Sequence, residues 1–212
     1  MQKKEISKSV LKRLPGYLAY LKNMPAGSSP NISATALANA LGMGEVQVRK
    51  DLAQVSDGGR PKIGYQRERL IEDIEQFLGY DNTTDAVLIG AGKLGQALLG
   101  YCGFEEYGLN ILAAFDVKPV KDKTDDGKPI YSLDKLESFC RANKVLMGII
   151  TVPRDHAQEV CDMLIASGIK AIWSFAPEHL KVPPHILVQY ENMATSLAVL
   201  SMHLQAQMKE KK

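Results

Sequence analysis

Hydrophobic spacing divides the chain before any motif is considered. Val10, Leu11, Leu14, Tyr17, Leu18 and Leu21 recur at helical intervals, which predicts an amphipathic helix from about Ser7 to Lys22. Pro15 falls inside that run, so the helix either kinks or begins there. MPAGSSPN, residues 24–31, reads as a loop by composition. Ser33 then caps a short helix through Leu41, with Ala36, Leu37, Ala40 and Leu41 apolar, and Gly42 stops it. A third helix runs from Glu45 to about Val55, with Val48, Leu52 and Val55 on its buried stripe. Two helices joined by a tight glycine-containing turn form a helix-turn-helix. DGGRPKIGY, residues 57–65, has a Gly-Gly turn and alternating Ile63 and Tyr65, and reads as a short β-hairpin, the wing of a winged helix. Arg69, Leu70, Ile71, Ile74, Phe77 and Leu78 close this stretch with another amphipathic helix, ended at Gly79.

Beyond residue 80 the pattern changes to short, continuously apolar runs separated by helical ones. Ala86–Ile89, Ile111–Phe115, Ile130–Tyr131, Met147–Thr151, Ile169–Trp173 and Ile186–Val188 read as strands. A helix capped by Ser132 carries Leu133, Leu136 and Phe139, and another follows Val152-Pro153 through Ala166. Strands and helices in alternation predict an α/β fold with a doubly wound parallel sheet. Glu191-Asn192-Met193-Ala194 opens a last helix with Met193, Leu197, Leu200 and Leu204 at spacings of three and four, and the terminal KEKK is expected to fray. That helix packs either on its own domain or on a second subunit. The organisation expected is 1–80, a winged-helix domain; 81–190, a Rossmann domain; and 191–212, a C-terminal helix.

Composition then narrows the chemistry. The chain's 212 residues suffice for one large domain or two small ones. No apolar stretch reaches membrane-spanning length and the basic start lacks the apolar core of a secretory signal, so no membrane partner is expected. Cys102, Cys140 and Cys161 are odd in number and far apart, which argues against a disulfide framework or a metal site and fits a reducing, cytoplasmic setting; all three are expected to be buried. The net charge of +2 is unevenly spread: residues 1–69 hold 12 Lys/Arg against 5 Asp/Glu, residues 70–190 hold 11 against 17. A basic front and an acidic middle imply two modules with different partners.

In the front module, Gln47, Arg49 and Lys50 fall on or near the outward side of the third helix in its first half, where a recognition helix meets bases and phosphates. Arg60 and Lys62 sit in the wing, within reach of a minor groove or backbone. Double-stranded DNA is the expected partner. In the middle module, the Ala86–Ile89 strand leads directly into Gly90-Ala91-Gly92-Lys93-Leu94-Gly95 and then a helix. That context suits a pyrophosphate resting on a helix N-terminus. Asp116 ends the next strand, 21 residues past Gly95, and there accepts hydrogen bonds from ribose hydroxyls and repels a 2′-phosphate. Lys118, two residues on, softens that repulsion. NADH and NAD+ are therefore expected as ligands. Thr151, Val152, Pro153 and Phe175, at strand ends, are expected to border the nicotinamide side. A domain of about this size leaves no room for a separate substrate domain. The four histidines form no triad-like or metal-binding group, so nothing specifies an enzyme.

Taken in order, KRLPGYLAYL (12–21), SATALANALGMGEVQVRKDL (33–52), GYQRERL (64–70), VLIGAGKLGQALLGY (87–101), AFD (114–116), TVP (151–153) and SFAP (174–177) resemble the Rex family of redox-sensing transcriptional repressors over nearly the whole chain. The resemblance implies a homodimer bound to a palindromic operator when NADH is scarce, released when NADH closes the two subunits, with NAD+ a weak competitor. It implies exchange of the C-terminal helix between subunits. By position, Gly90, Ala91, Gly92, Lys93, Leu94 and Gly95 hold pyrophosphate, Asp116, Val117 and Lys118 lie at the adenine ribose, and Tyr101 near the nicotinamide. The DNA-facing set is Ser33, Gln47, Arg49, Lys50, Arg60 and Lys62, and the switch set Arg13, Tyr101, Asn192 and Met193. Asn192 stands where family members commonly carry an Asp that pairs alternately with that arginine and that tyrosine, and the wing lacks the usual aromatic, glycine-rich turn. Two alternatives stay open: a small NAD-dependent oxidoreductase, and a family paralogue that has lost redox discrimination.

Overall fold

The computed structural model describes residues 7–124 and 127–210, which fold as two units dividing the chain between Asn82 and Thr83. The first six residues, and Lys211 and Lys212 of the terminal KEKK, lie outside the described residues.

In the first unit, Ser7 caps α1 (Lys8–Lys22), which continues through Pro15 rather than beginning there. Ser33 Oγ accepts from the Ala36 N–H at 3.0 Å to start α2 (Ala34–Leu41), and left-handed Gly42 ends it. After two residues α3 (Glu45–Val55) follows. Apolar side chains from all of these and from α4 (Arg67–Leu78) meet in one core, in which Leu14, Tyr17, Leu37, Leu52 and Ile74 are fully buried.

The 57–65 segment departs from the hairpin expected of it. It forms a tight turn closed by one bridge, in which Arg60 and Gly64 exchange N–H···O bonds of 2.9 Å. The strand that follows, β2 (Tyr65–Gln66), pairs instead with β1 (Asn31–Ile32), at the end of the segment read as loop. Gly64 makes this possible: at φ +85° any Cβ would stand 2.3 Å from the Ile32 carbonyl oxygen. Tyr65 is consequently buried, whereas Ile63 is exposed.

The second unit is a six-stranded, all-parallel sheet in the order β5-β4-β3-β6-β7-β8. Its strands are β3 (Thr84–Ile89), β4 (Leu109–Asp116), β5 (Ile130–Ser132), β6 (Met147–Ile150), β7 (Ala171–Ser174) and β8 (Leu187–Tyr190). The first strand of the unit sits at the centre and the order reverses between β3 and β6, which is the switch point where such sheets open a crevice. Val87, Ile89, Phe115, Ile150 and Ile172 face one core with α6 (Leu136–Asn143) and α7 (Arg154–Ala166). Ala86, Leu88, Ala114 and Ile149 face the other, with Leu99 of α5 (Lys93–Leu99). Ser132 does not cap α6; a 3₁₀ turn, Leu133–Lys135, comes between. A second 3₁₀ turn, Cys102–Tyr107, was not signalled by periodicity.

Asn192 Oδ1 accepts from the N–H groups of Ala194 (3.0 Å) and Thr195 (3.3 Å) and so caps α8 (Met193–Glu210). The helix runs on through Lys209 and Glu210, half of the segment expected to fray. Residues 192–209 are all exposed.

Candidate functional site

The exposed half of α3 is positioned by what is buried behind it. Val48 and Leu52 are fully buried, and Asp51 between them is 3% exposed. A buried carboxylate needs partners, and α1 supplies two. Arg13 donates Nε and Nη2 to the Asp51 oxygens at 2.7 and 2.9 Å, and the Tyr17 hydroxyl donates to Asp51 Oδ2 at 2.7 Å. Arg13 and Tyr17 stand four residues apart on α1, hence on one face. Sequence reading missed Asp51; the available signal was an acid adjacent to the apolar stripe of an amphipathic helix. Arg13, expected to serve the switch, is committed to Asp51 inside its own unit. Gln47, expected to face outward, lies with its amide oxygen 3.1 and 3.0 Å from Arg13 Nε and Nη1 once the amide is oriented to match those donors.

Burial, and the hydrogen bond donated to Asp51, push the Tyr17 hydroxyl up to about 12. Between the ordinary tyrosine value near 10 and this one, the unfolded chain loses a proton that the folded unit keeps, so stability falls as pH rises. The expected loss is roughly 2–3 kcal/mol between about pH 10 and pH 12, absent from Tyr17→Phe, in denaturant titrations of the first unit's transition.

Ser33, Arg49, Arg60 and Lys62 come together with Thr35 and Tyr65 around a surface crevice of about 460 Å³. Arg49 also pairs with Glu45 one helical turn earlier. Lys62 takes a left-handed φ of 65° in the tight turn. Gln47 and Lys50 are exposed on α3 but do not line this crevice. Three cations beside the capped start of α2 suit phosphate oxygens.

In the second unit the glycine turn lies at the switch point. A Cβ on Gly95 would stand 1.9 Å from the Gly90 carbonyl oxygen, and Gly90 itself has φ +102°. Gly92, by contrast, has nothing within 4 Å of a Cβ and opens on a crevice of about 430 Å³. Thr151 pins the turn: its N–H donates to Ile89 O at 2.9 Å, and its Oγ1 is 2.9 and 2.8 Å from the carbonyls of Ile89 and Gly90. Asp116 Oδ2 accepts from the Ala91 N–H at 2.7 Å and Oδ1 from the Lys118 N–H at 3.0 Å. Gly90, Gly92, Asp116, Val117, Lys118, Thr151, Val152 and Pro153 all line this crevice, joined by His156 and Glu159 of α7. Lys93 and Leu94 are exposed at the start of α5.

The strand-end residues do not form the one wall expected of them. Thr151, Val152 and Pro153 follow β6 and share the crevice of Asp116, whereas Phe175 follows β7 and packs against the other core. Phe175 is the end of a chain of rings: Tyr101 to Phe104 (4.9 Å between centroids), Phe104 to Trp173 (5.6 Å) and Trp173 to Phe175 (4.8 Å). Tyr101 and Phe175 are thus linked, outside the Asp116 crevice. Cys140 and Cys161 are buried, and burial pushes both thiols up to about 11. Cys102 is exposed, against expectation, because it leads the 3₁₀ turn rather than a core strand.

Comparison with known proteins follows this division. Residues 5–53 match a family described as a putative DNA-binding protein N-terminus, and residues 81–178 one described as a CoA binding domain. The redox-sensing transcriptional repressor Rex of Treponema denticola is 42% identical over 195 residues, covering 90% of this chain and 91% of that protein. The Rex of Clostridium beijerinckii is 40% identical, covering 93% and 94%. Among solved structures, RSP, a Rex-family repressor, superposes with a TM-score of 0.86 at 33% identity over 98% of both chains. RSP in complex with NAD+ and operator DNA gives 0.88, and RSP in complex with NADH 0.86. A helix-turn-helix unit followed by a Rossmann unit with an open glycine turn defines a transcriptional regulator that carries its own nucleotide-sensing domain. The chain belongs to the Rex family of redox-sensing transcriptional repressors. It is therefore a regulator, and the oxidoreductase alternative falls.

Proposed function

We propose that NADH bound at the glycine turn releases the first unit from a palindromic operator, with NAD+ far less effective. The observation that carries this reading is Asp116: its two oxygens are oriented by backbone N–H groups at the mouth of the crevice, and each retains an acceptor site for a ribose hydroxyl. The same carboxylate disfavours a phosphate on the adenosine ribose, which both the phosphorylated dinucleotides and coenzyme A carry. Gly90 to Gly95 take the pyrophosphate, with Thr151 holding the turn, and Tyr101 and Phe175 stand toward the nicotinamide. Ser33, Arg49, Lys50, Arg60 and Lys62 meet the DNA backbone and groove.

The functional unit is a homodimer formed through α8. Met193, Leu197, Leu200 and Leu204 are 56–67% exposed along one stripe of an 18-residue helix. An apolar stripe of this length is buried in a second copy, whose two-fold axis matches a palindrome. Asn192 supports the reading without a charge, because an amide caps a helix as well as a carboxylate. No helix among the described residues is long and apolar enough to cross a membrane, and the reading places the protein with DNA in the cytoplasm.

The test is a fluorescence-anisotropy titration on a library-selected palindromic duplex at fixed salt, adding NADH, NAD+ and coenzyme A separately. Release by NADH at concentrations where the others do little is expected; equal release by NADH and NAD+ would identify a regulator without redox discrimination. Asp116→Ala is expected to weaken NADH binding about 10- to 100-fold and to narrow the preference over NADPH. Unchanged affinities in fluorescence titrations would remove Asp116 from the site. Arg49→Ala is expected to weaken operator binding and leave NADH affinity alone; a parallel fall in NADH affinity would refute separate modules.

A further inference from the structure

Along the C-terminal edge of the sheet, from β4 to β8, hydrogen bonds join successive strand ends. From β3 to β8 across β6 and β7, the first residue after the strand donates its N–H to the end of the neighbour: Gly90 to Phe115 O (2.8 Å), Thr151 to Ile89 O (2.9 Å), Phe175 to Ile150 O (2.9 Å) and Glu191 to Ser174 O (2.8 Å). The series starts at the crevice and ends one residue before the cap of α8.

Its last link is doubled. Trp173, the only tryptophan of the chain, donates its indole N–H to Glu191 Oε1 at 3.0 Å. An indole nitrogen is a donor only, and a carboxylate acceptor makes the bond stronger than a neutral one. The Trp173 ring lies between Phe104 and Phe175, and Phe104 carries Tyr101. Glu191 is therefore held to β7 through both backbone and side chain, and Asn192 beside it caps α8. The ring chain and the root of the helix are thus joined through one indole.

We propose that Trp173 and Glu191 are positioning residues that transmit occupancy of the nucleotide site to α8. This rests on the reading that NADH acts through that site. The two residues contribute to release from DNA, not to NADH affinity.

The experiment compares Trp173→Phe, Glu191→Leu, Glu191→Gln and the Trp173→Phe/Glu191→Leu pair in the full chain. NADH affinity is read from the cofactor's own fluorescence, and release from the anisotropy of operator DNA. Trp173→Phe keeps a ring and loses the donor; Glu191→Gln keeps an acceptor, so it separates loss of the bond from loss of the charge. The NADH concentration for half-release is expected to rise about tenfold in Trp173→Phe and Glu191→Leu, with NADH affinity unchanged to within about twofold. Glu191→Gln should behave nearly as wild type, the double variant no worse than either single one, and Trp173 emission should shift in Glu191→Leu but not in Glu191→Gln. Release of the single variants at the wild-type concentration would overturn the proposal, as would a fall in NADH affinity that accounts for all of the change. Absence of NADH-driven release in the wild-type protein would instead overturn the functional reading, and this proposal with it.

Discussion

Asp51→Ala is expected to abolish operator binding by unfolding the first unit while NADH binding persists in the second. The carboxylate is almost fully buried and satisfies the Arg13 guanidinium and the Tyr17 hydroxyl together. Removing it leaves the Arg13 guanidinium, 20% exposed, with only the neutral Gln47 amide beside it and the buried Tyr17 hydroxyl without its acceptor, which costs about 3–5 kcal/mol. That is a large share of the ~5–15 kcal/mol that holds a small domain folded. Asp51→Asn keeps an acceptor for Tyr17 and gives up the charge, so its cost is expected to be smaller. Two-probe thermal unfolding checks this: circular dichroism should show loss of the early helical transition in Asp51→Ala, and NADH fluorescence should show the second unit intact. Retention of wild-type melting in Asp51→Ala would mean that the pair is merely a surface contact.

The glycine turn gives the second large effect, and two of its glycines, Gly95 and Gly92, behave differently for a physical reason. In Gly95→Ala the new Cβ meets backbone, the Gly90 carbonyl oxygen at 1.9 Å, so the turn itself must move. Overpacking of this kind costs roughly 1–3 kcal/mol, and a displaced turn no longer presents its N–H groups, so both melting temperature and NADH affinity should fall. Gly92 has ordinary backbone angles and free space around its Cβ position. Gly92→Ala is therefore expected to melt like wild type and yet bind NADH at least about tenfold more weakly, because the methyl group enters the space proposed for the pyrophosphate. Wild-type affinity in Gly92→Ala, by fluorescence titration, would place the ligand elsewhere. Either variant that loses NADH should remain bound to DNA when NADH is added.

Much of this was legible in local sequence. Ser33 and Gly42 bracket α2 as their chemistry predicts, because a cap depends on groups one turn away. Apolar runs locate the parallel strands for the same kind of reason: a strand covered on both faces needs apolar side chains at every position. The glycine spacing and the acid ending β4 mark the turn proposed to hold the nucleotide, since backbone clearance at Gly90 and Gly95 and the placement of Asp116 follow from one strand–turn–helix unit and its neighbour.

What the chain by itself left undecided are pairings between residues far apart in sequence. That Asn31–Ile32 is a strand depends on Tyr65–Gln66 lying beside it, and two residues carry no periodicity of their own. Arg13 reads as a free cation until α1 and α3 are packed and Asp51 is found beneath it. Phe175 and Pro153 look equivalent as strand-end residues, yet the order of β3, β6 and β7 sends one to the ring chain and the other to the Asp116 crevice. The link from Trp173 to Glu191 likewise exists because β7 and β8 are neighbours in register. Sequence determines elements and turns, whose energies are local; the tertiary structure decides which buried polar groups find each other, because burial is a property of the packed chain.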